Sequence, residues 1–314
     1  MGLSIIWASN SIQCRSGYGI QGHYVVPGLQ RLGNRVAVFA WWGLQGGIAE
    51  IDGITTYPAF GEPYGNDVAR QHADHWDADL VISLVDLWVC GNYADTLPQR
   101  WMPYFPIDSI PIPPEIYNLA KRTQWPVTYS QWGVNELAKV GVNAYFVPHG
   151  VGDAYRPNLE AGRRWRAENG IPQDAYMVAS VYANKGNPSR KNFDGCFRAF
   201  AEFSKTHPDA IYYMHSEPSV RYQGVDLWRL IRELGIAGKV IIPNSYLLAL
   251  GFDEAWMAGM YNAADVLLSA TKGEGLGIPC LEGQACGVPV IVTDYSAMPE
   301  LVDHAGPSYK VRVA

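Results

Sequence analysis

The sequence is poor in charge. Only 17% of its 314 residues are Asp, Glu, Lys or Arg, and the net charge is -6. A chain with no basic excess has no electrostatic footprint for a phosphate backbone, so no nucleic-acid partner is expected. No apolar run approaches the roughly 20 residues of a membrane span, and no basic stretch leads into an apolar one at the start. Cysteine is scarce and scattered: Cys14, Cys90, Cys196, Cys280 and Cys286 form no C-x-x-C pair. An odd, dispersed set predicts buried thiols in a reducing, cytoplasmic compartment, not a disulfide or zinc framework. The 7 His residues show no ligand spacing either, so no metal is expected. What is abundant is apolar material, 48% of the chain, enough for full cores. The length suggests two domains of about 150 residues each.

The stretch "SGYGIQG" places Gly17, Gly19 and Gly22 at the G-x-G-x-x-G spacing of a dinucleotide-binding turn. Two features argue against that use. "NSIQCR" separates the glycines from the preceding strand "LSIIWAS", and the next strand, "RVAVFA", ends in Trp41 and Trp42 where a ribose-binding carboxylate belongs. A Gly-rich loop that runs into a helix and can approach an anion remains.

Short β-rich runs alternate with helical patterns along the whole chain. "LSIIWA", "RVAVFA", "ADLVISLV", "WMPYFPI", "PVTYS" and "AYFVP" read as strands in the first half. "YMVASVYA", "AIYYMHS", "KVIIP", "VLLSA" and "PVIVTDY" follow in the second. Such alternation predicts parallel sheets covered by helices on both faces. "PHGVGDAYRPN" has turn chemistry and no period, which places a domain boundary near residue 155. The expected architecture is α/β: two doubly wound Rossmann-like domains, 1–155 and 156–314, facing a central cleft at the carboxyl ends of their strands.

Phe193, Phe197, Phe200 and Phe203 recur three or four apart, a core-facing helical stripe. The stripe puts Ser189, Arg190 and Lys191 at a helix N-terminus. The segment from Gly273 to Leu301, "GEGLGIPCLEGQACGVPVIVTDYSAMPEL", reads as Gly-rich loop, helix and strand, after the strand "DVLLSA". Pro279 suits a first helical turn and Gly287 a helix end. Amides at that helix start can cradle an anion, while Glu274 and Glu282, with seven residues between them, can accept bonds from sugar hydroxyls.

These residues resemble the E-x7-E region of the retaining glycosyltransferases of the GT-B fold, family GT4. "LGIAGKVIIPNS", "MYNAADVLLSA" and "EGLGIPCLEGQACGVPVI" follow in that family's order. "NKGNPSRKNFDGCFRAFAEF" is similar to its basic pair before a helix, and "VPHGVGDAYRP" to its interdomain hinge. The resemblance implies an acceptor-side first domain and a second domain that binds a nucleotide-diphosphate sugar as co-substrate, with no further cofactor. It implies that Arg190 and Lys191 neutralise the leaving diphosphate and that Glu282 holds the ribose. Glu274 would face the transferred sugar, with Gly275, Leu276 and Gly277 offering amides. Gly17, Tyr18 and Gly19 take the place of the family's N-terminal Gly loop, and His215 and Asn244 follow donor-domain strands.

Two departures stand out. Many relatives carry a His near the sugar where "YFPIDS" offers Asp108, in a "P-x-D-x-x-P-x-P-P" run shared with a variant subgroup. Asp108 can bond a sugar hydroxyl there or cap a loop; Asp86, after "LVISLV", has the same two readings, and His149 reads as a hinge residue. The chain also ends soon after "PEL", where relatives continue with helices. That shortened end predicts uncovered apolar surface, and with it self-association or loose interdomain motion. The acceptor is expected to be a carbohydrate or glycoconjugate. A GT-B epimerase or phosphorylase, and a non-catalytic sugar-nucleotide-binding module, stand as alternatives.

Overall fold

The computed structural model describes residues 2–303 and 308–312. It divides into two units, Met1–Gly150 and Val151–Ala314. Each is built on one sheet.

The first sheet has the strands β1 (Ser4–Ser9), β2 (Arg35–Ala40), β3 (Ala49–Ile51), β4 (Ile54–Pro58), β5 (Leu80–Leu84), β6 (Trp101–Tyr104), β7 (Val127–Thr128) and β8 (Tyr145–Phe146), in the order β3-β4-β2-β1-β5-β6-β7-β8. The central strands are apolar runs buried along nearly their whole length, as a sheet covered on both faces requires. Every pairing is parallel except β3 with β4. That edge hairpin turns through Asp52 and Gly53, both at positive φ (52° and 73°), as a two-residue type I′ turn demands. The sequence reading had no strand at either place. Trp7, Trp41 and Trp101 are buried in this unit, whereas Trp42 and Trp88 are exposed.

In the second sheet β9 (Met177–Val181), β10 (Ile211–His215), β11 (Val240–Ile241), β12 (Val266–Ser269), β13 (Val290–Thr293) and β14 (Tyr309–Val311) lie in the order β11-β10-β9-β12-β13-β14, all parallel. The helix Phe193–Thr206 turns Phe193, Phe197 and Phe200 into the core, and Phe203 packs against it. At the amino ends of β9 and β12 the buried Arg166 guanidinium donates to the carbonyls of Ala263, Pro172, Gln173 and Ala175. It also pairs with Asp265 at 2.8 Å. Asp265 in turn accepts from the Met177 amide at 2.7 Å. One satisfied cation thus fixes the two central strands, and with them the loops at their other ends.

Candidate functional site

Successive strands spread to opposite sides of the β9–β12 pair, which makes the carboxyl ends of these two strands the switch point of the second sheet. The loops leaving them are tied together. The Lys272 amide donates to the Arg190 carbonyl at 2.7 Å, and Asn192 Nδ2 donates to the Ala270 carbonyl at 3.1 Å. Asn192, at φ 53°, precedes the helix Phe193–Thr206, so Arg190 and Lys191 stand in the loop just before its first turn.

Both cations converge on Glu274. Arg190 Nη1 is 2.8 Å from Glu274 Oε2 and donates to the Gly273 carbonyl at 2.5 Å; Lys191 Nζ is bonded to Oε1. The Glu274 amide donates to Ser296 Oγ at 3.0 Å, which fixes the backbone beneath the carboxylate. Glu274 is only 8% exposed. Burial pushes its carboxyl up, but Lys191 and Arg190 outweigh that and hold it below its ordinary range. Burial likewise lowers the Lys191 ammonium, against the opposing pull of Glu274. Two cations beside one carboxylate leave positive charge in excess, at a sheet position where phosphate groups bind in many α/β proteins.

Glu282 sits in a different field. Its helix, Ile278–Ala285, opens at Gly277 (φ 95°), carries Pro279 in the first turn, and is followed by Gly287 at φ 84°. A Cβ on Gly277 would come within 3.1 Å of Met298 Sδ, so both backbone geometry and space favour glycine there. Glu282 is 5% exposed and accepts from the Tyr261 hydroxyl at 2.5 Å, with Tyr155 beside it. Burial dominates here, and the carboxyl is pushed up to about 7. Gly275 and Leu276 are buried between the two carboxylates. Two hydroxyls, Ser216 after β10 and Thr271 after β12, are buried without a hydrogen-bond partner among the described residues. Ser216 with His215 ends a donor-domain strand, as the sequence suggested; Thr271 was missed by the sequence reading. Ser216 adjoins His215, whose ring is bonded to the Tyr213 hydroxyl at 3.2 Å and packed near Phe252 and Trp256. Burial lowers that imidazole to about 4, so it is neutral at physiological pH. Asn244 is exposed, and its side chain caps the helix Ser245–Leu250 by accepting from the Tyr246 amide at 2.8 Å.

In the first unit the glycines prove to be helical. Gly17 begins the helix Gly17–Arg31, with Ser16 as cap accepting from the Gly19 amide at 3.2 Å. The expected loop is therefore the first turn. A Cβ on Gly19 would lie 2.2 Å from the Cys14 carbonyl, and one on Gly22 would lie 2.9 Å from Trp7 Nε1. These two glycines let the helix close onto the loop before it and onto β1. Tyr18 points elsewhere: its hydroxyl donates to Asp86 Oδ2 at 3.2 Å. Asp86 and Asp108 share a cavity of about 320 Å³, lined also by Leu87, Trp88, Ser109 and Glu115. The His149 ring packs at a tilt against Tyr129 and its Nδ1 lies 3.0 Å from the Tyr104 hydroxyl; burial lowers its pKa to about 3.

Residues 181–313 match the family described as Glycosyl transferases group 1. This segment belongs to the group 1 glycosyltransferases. It holds Arg190, Lys191, Glu274 and Glu282 together. A D-inositol 3-phosphate glycosyltransferase of Corynebacterium jeikeium is 32% identical over 157 residues, 48% of this chain and 35% of that protein. The match spans about a third of the length of such curated relatives. Among solved structures, WaaG, a glycosyltransferase involved in lipopolysaccharide biosynthesis, superposes with a TM-score of 0.74 at 14% identity, covering 98% of this chain and 86% of that one. Anabaena HepE in complex with UDP-glucose gives 0.73 at 16%, covering 99% and 85%. At such identities the likeness establishes the fold, which is GT-B. No helix among the described residues is long and apolar enough to cross a membrane.

Proposed function

We propose that the chain is a retaining glycosyltransferase that moves a sugar from a nucleotide-diphosphate donor to a carbohydrate or glycoconjugate acceptor. The observation that carries this reading is the convergence of Arg190 and Lys191 on Glu274 at the β9–β12 switch point. In the proposed reaction the bond between sugar and diphosphate breaks, and the two cations stabilise the leaving diphosphate. The acceptor oxygen bonds the sugar carbon, and the departing phosphate oxygen takes the proton of that acceptor hydroxyl. Glu274 then accepts from hydroxyls of the transferred sugar. Glu282 accepts from the ribose, and the buried Thr271 and Ser216 hydroxyls are further polar groups on the donor side. The acceptor is taken by the first unit, at the cavity that Asp86 and Asp108 share. No metal has a role in this scheme, because the cations of the protein supply the charge. The inositol phosphate named for the curated relatives is not carried over, since the match leaves most of each relative uncovered.

Two alanine variants test the donor site. A charged hydrogen bond is worth about 1.5–3 kcal/mol, and more as charge builds on the leaving group. Lys191→Ala should therefore lower turnover by roughly ten- to a hundredfold, while nucleoside affinity changes far less. Glu282→Ala should weaken nucleoside and nucleotide-sugar binding alike. Isothermal titration with UDP, GDP and ADP, beside turnover of the matching nucleotide sugars, separates the two. Changes under about twofold in both quantities for both variants would refute this donor site.

A further inference from the structure

The cavity beside Asp108 has a composition that bears on what it accepts, an inference that rests on the acceptor-side reading above. Its lining includes three carboxylates, Asp86, Asp108 and Glu115, and no Lys, Arg or His. The remaining polar group is the Ser109 side chain; Leu87, Pro106, Pro113 and Ile116 supply apolar wall. Trp88 stands at the cavity 60% exposed, a large exposure for an indole. It follows β5 and belongs to a short 3-10 turn, Leu87–Val89, whose two other side chains are buried. The flanking residues therefore fix where the indole is presented. Asp86, which opens this turn, is held by the Tyr18 hydroxyl.

From this lining we infer that the first unit selects a polyhydroxylated acceptor carrying no anionic group. Carboxylates accept hydrogen bonds from sugar hydroxyls, and such charge-assisted bonds are strong and directional. The face of an indole packs against the C–H face of a pyranose ring and buries apolar area at little entropic cost. A phosphorylated sugar meets the opposite situation. Its charge would approach three carboxylates in a lining that includes no Lys, Arg or His, an arrangement that disfavours an anionic ligand. The donor cluster around Lys191 and Arg190 shows what a phosphate-compatible wall in this same chain looks like.

The test uses the full chain and ligand-observed saturation-transfer NMR with glucose, mannose and galactose, each beside its 6-phosphate. At least one neutral sugar should bind, and its phosphate should bind at least about tenfold more weakly, from like-charge repulsion. Trp88→Ala alters an exposed side chain, so folding is spared, and should weaken the neutral sugar by about fivefold or more. The double change Asp108→Asn with Glu115→Gln keeps shape and removes charge; it should narrow the gap between neutral and phosphorylated sugar by about three- to tenfold. The inference is overturned if a phosphate binds as well as its parent sugar, if no neutral sugar binds, or if Trp88→Ala leaves the signal unchanged. The donor reading fails on different ligands, through nucleotides whose binding ignores Glu282 and nucleotide sugars whose turnover ignores Lys191.

Discussion

Glu274 and Glu282 lie in one loop–helix segment, are almost equally buried, and are driven in opposite directions by their surroundings. Burial raises both. At Glu274 two cations reverse the effect, and the group stays ionised; at Glu282 only tyrosine hydroxyls oppose it, and the group reaches about 7. Burial thus sets the cost of each charge, and the neighbour supplied decides whether that cost is met. The two positions are consequently open to different tests.

Removing the carboxylate at the first position should destabilise the fold directly. In Glu274→Ala the half-accessible Arg190 turns to solvent, but Lys191 is left without its anion in a buried place. Breaking a buried pair from one side costs about 3–5 kcal/mol. A loss near 2–3 kcal/mol is expected here, because half of the Arg190 side chain is already exposed. Urea unfolding of the variant against the parent measures it; a loss under about 0.5 kcal/mol would mean that the cluster adds little to the fold.

The second position gives a pH signature. The Glu282 carboxyl binds its proton more tightly in the folded chain, at about 7 against an ordinary value of 4.5. Its favourable contribution is present below about pH 4.5 and is lost as pH rises through 7. Glu282→Gln keeps the shape and removes the titration. Between pH 4.5 and 8 the variant should therefore gain on the parent by on the order of 3 kcal/mol. Unfolding curves across that range decide the matter, and a constant difference between the two proteins would contradict the burial argument.

The difference between these carboxylates also marks how far the sequence could be read. The spacing of Glu274 and Glu282 was visible, as were Pro279 and Gly287 bounding the helix, because those signals are local. Central strands were legible as β-branched, apolar runs, and the Phe193–Phe203 stripe as a helix face. The β3–β4 hairpin was missed because strands of three and five residues, half polar, carry little period; its Asp52-Gly53 turn was the usable signal. Gly17 and Gly19 read as loop, yet the Ser16 cap starts the helix there. No local pattern could show that Lys191 would bond Glu274, 83 positions away, or that Tyr261 would hold Glu282. Those pairings arise only when the sheet order brings the loops together. Glu115 likewise joined Asp86 and Asp108 only through the fold.

Tyr261 offers the smallest and most specific perturbation of the comparison. Its hydroxyl donates to Glu282 at 2.5 Å, and a hydrogen bond to the charged form lowers a carboxyl pKa. Tyr261→Phe removes the donor with little change of shape, and Tyr155 still contacts the carboxylate. The Glu282 midpoint should then move upward from about 7. In the proposed donor site only ionised Glu282 accepts fully from the ribose, so nucleoside affinity in the parent should rise with pH through the same midpoint. Near pH 7 the variant should bind UDP, GDP or ADP about two- to fivefold more weakly, the effect of losing part of one hydrogen bond's worth of ionisation. Above the shifted midpoint the two proteins should converge. Calorimetric titration from pH 6 to 9 reads both the shift and the plateau. A lowered plateau with an unmoved midpoint would show that Tyr261 acts on the nucleotide directly, and the account of Glu282 as the titrating ribose ligand would be wrong.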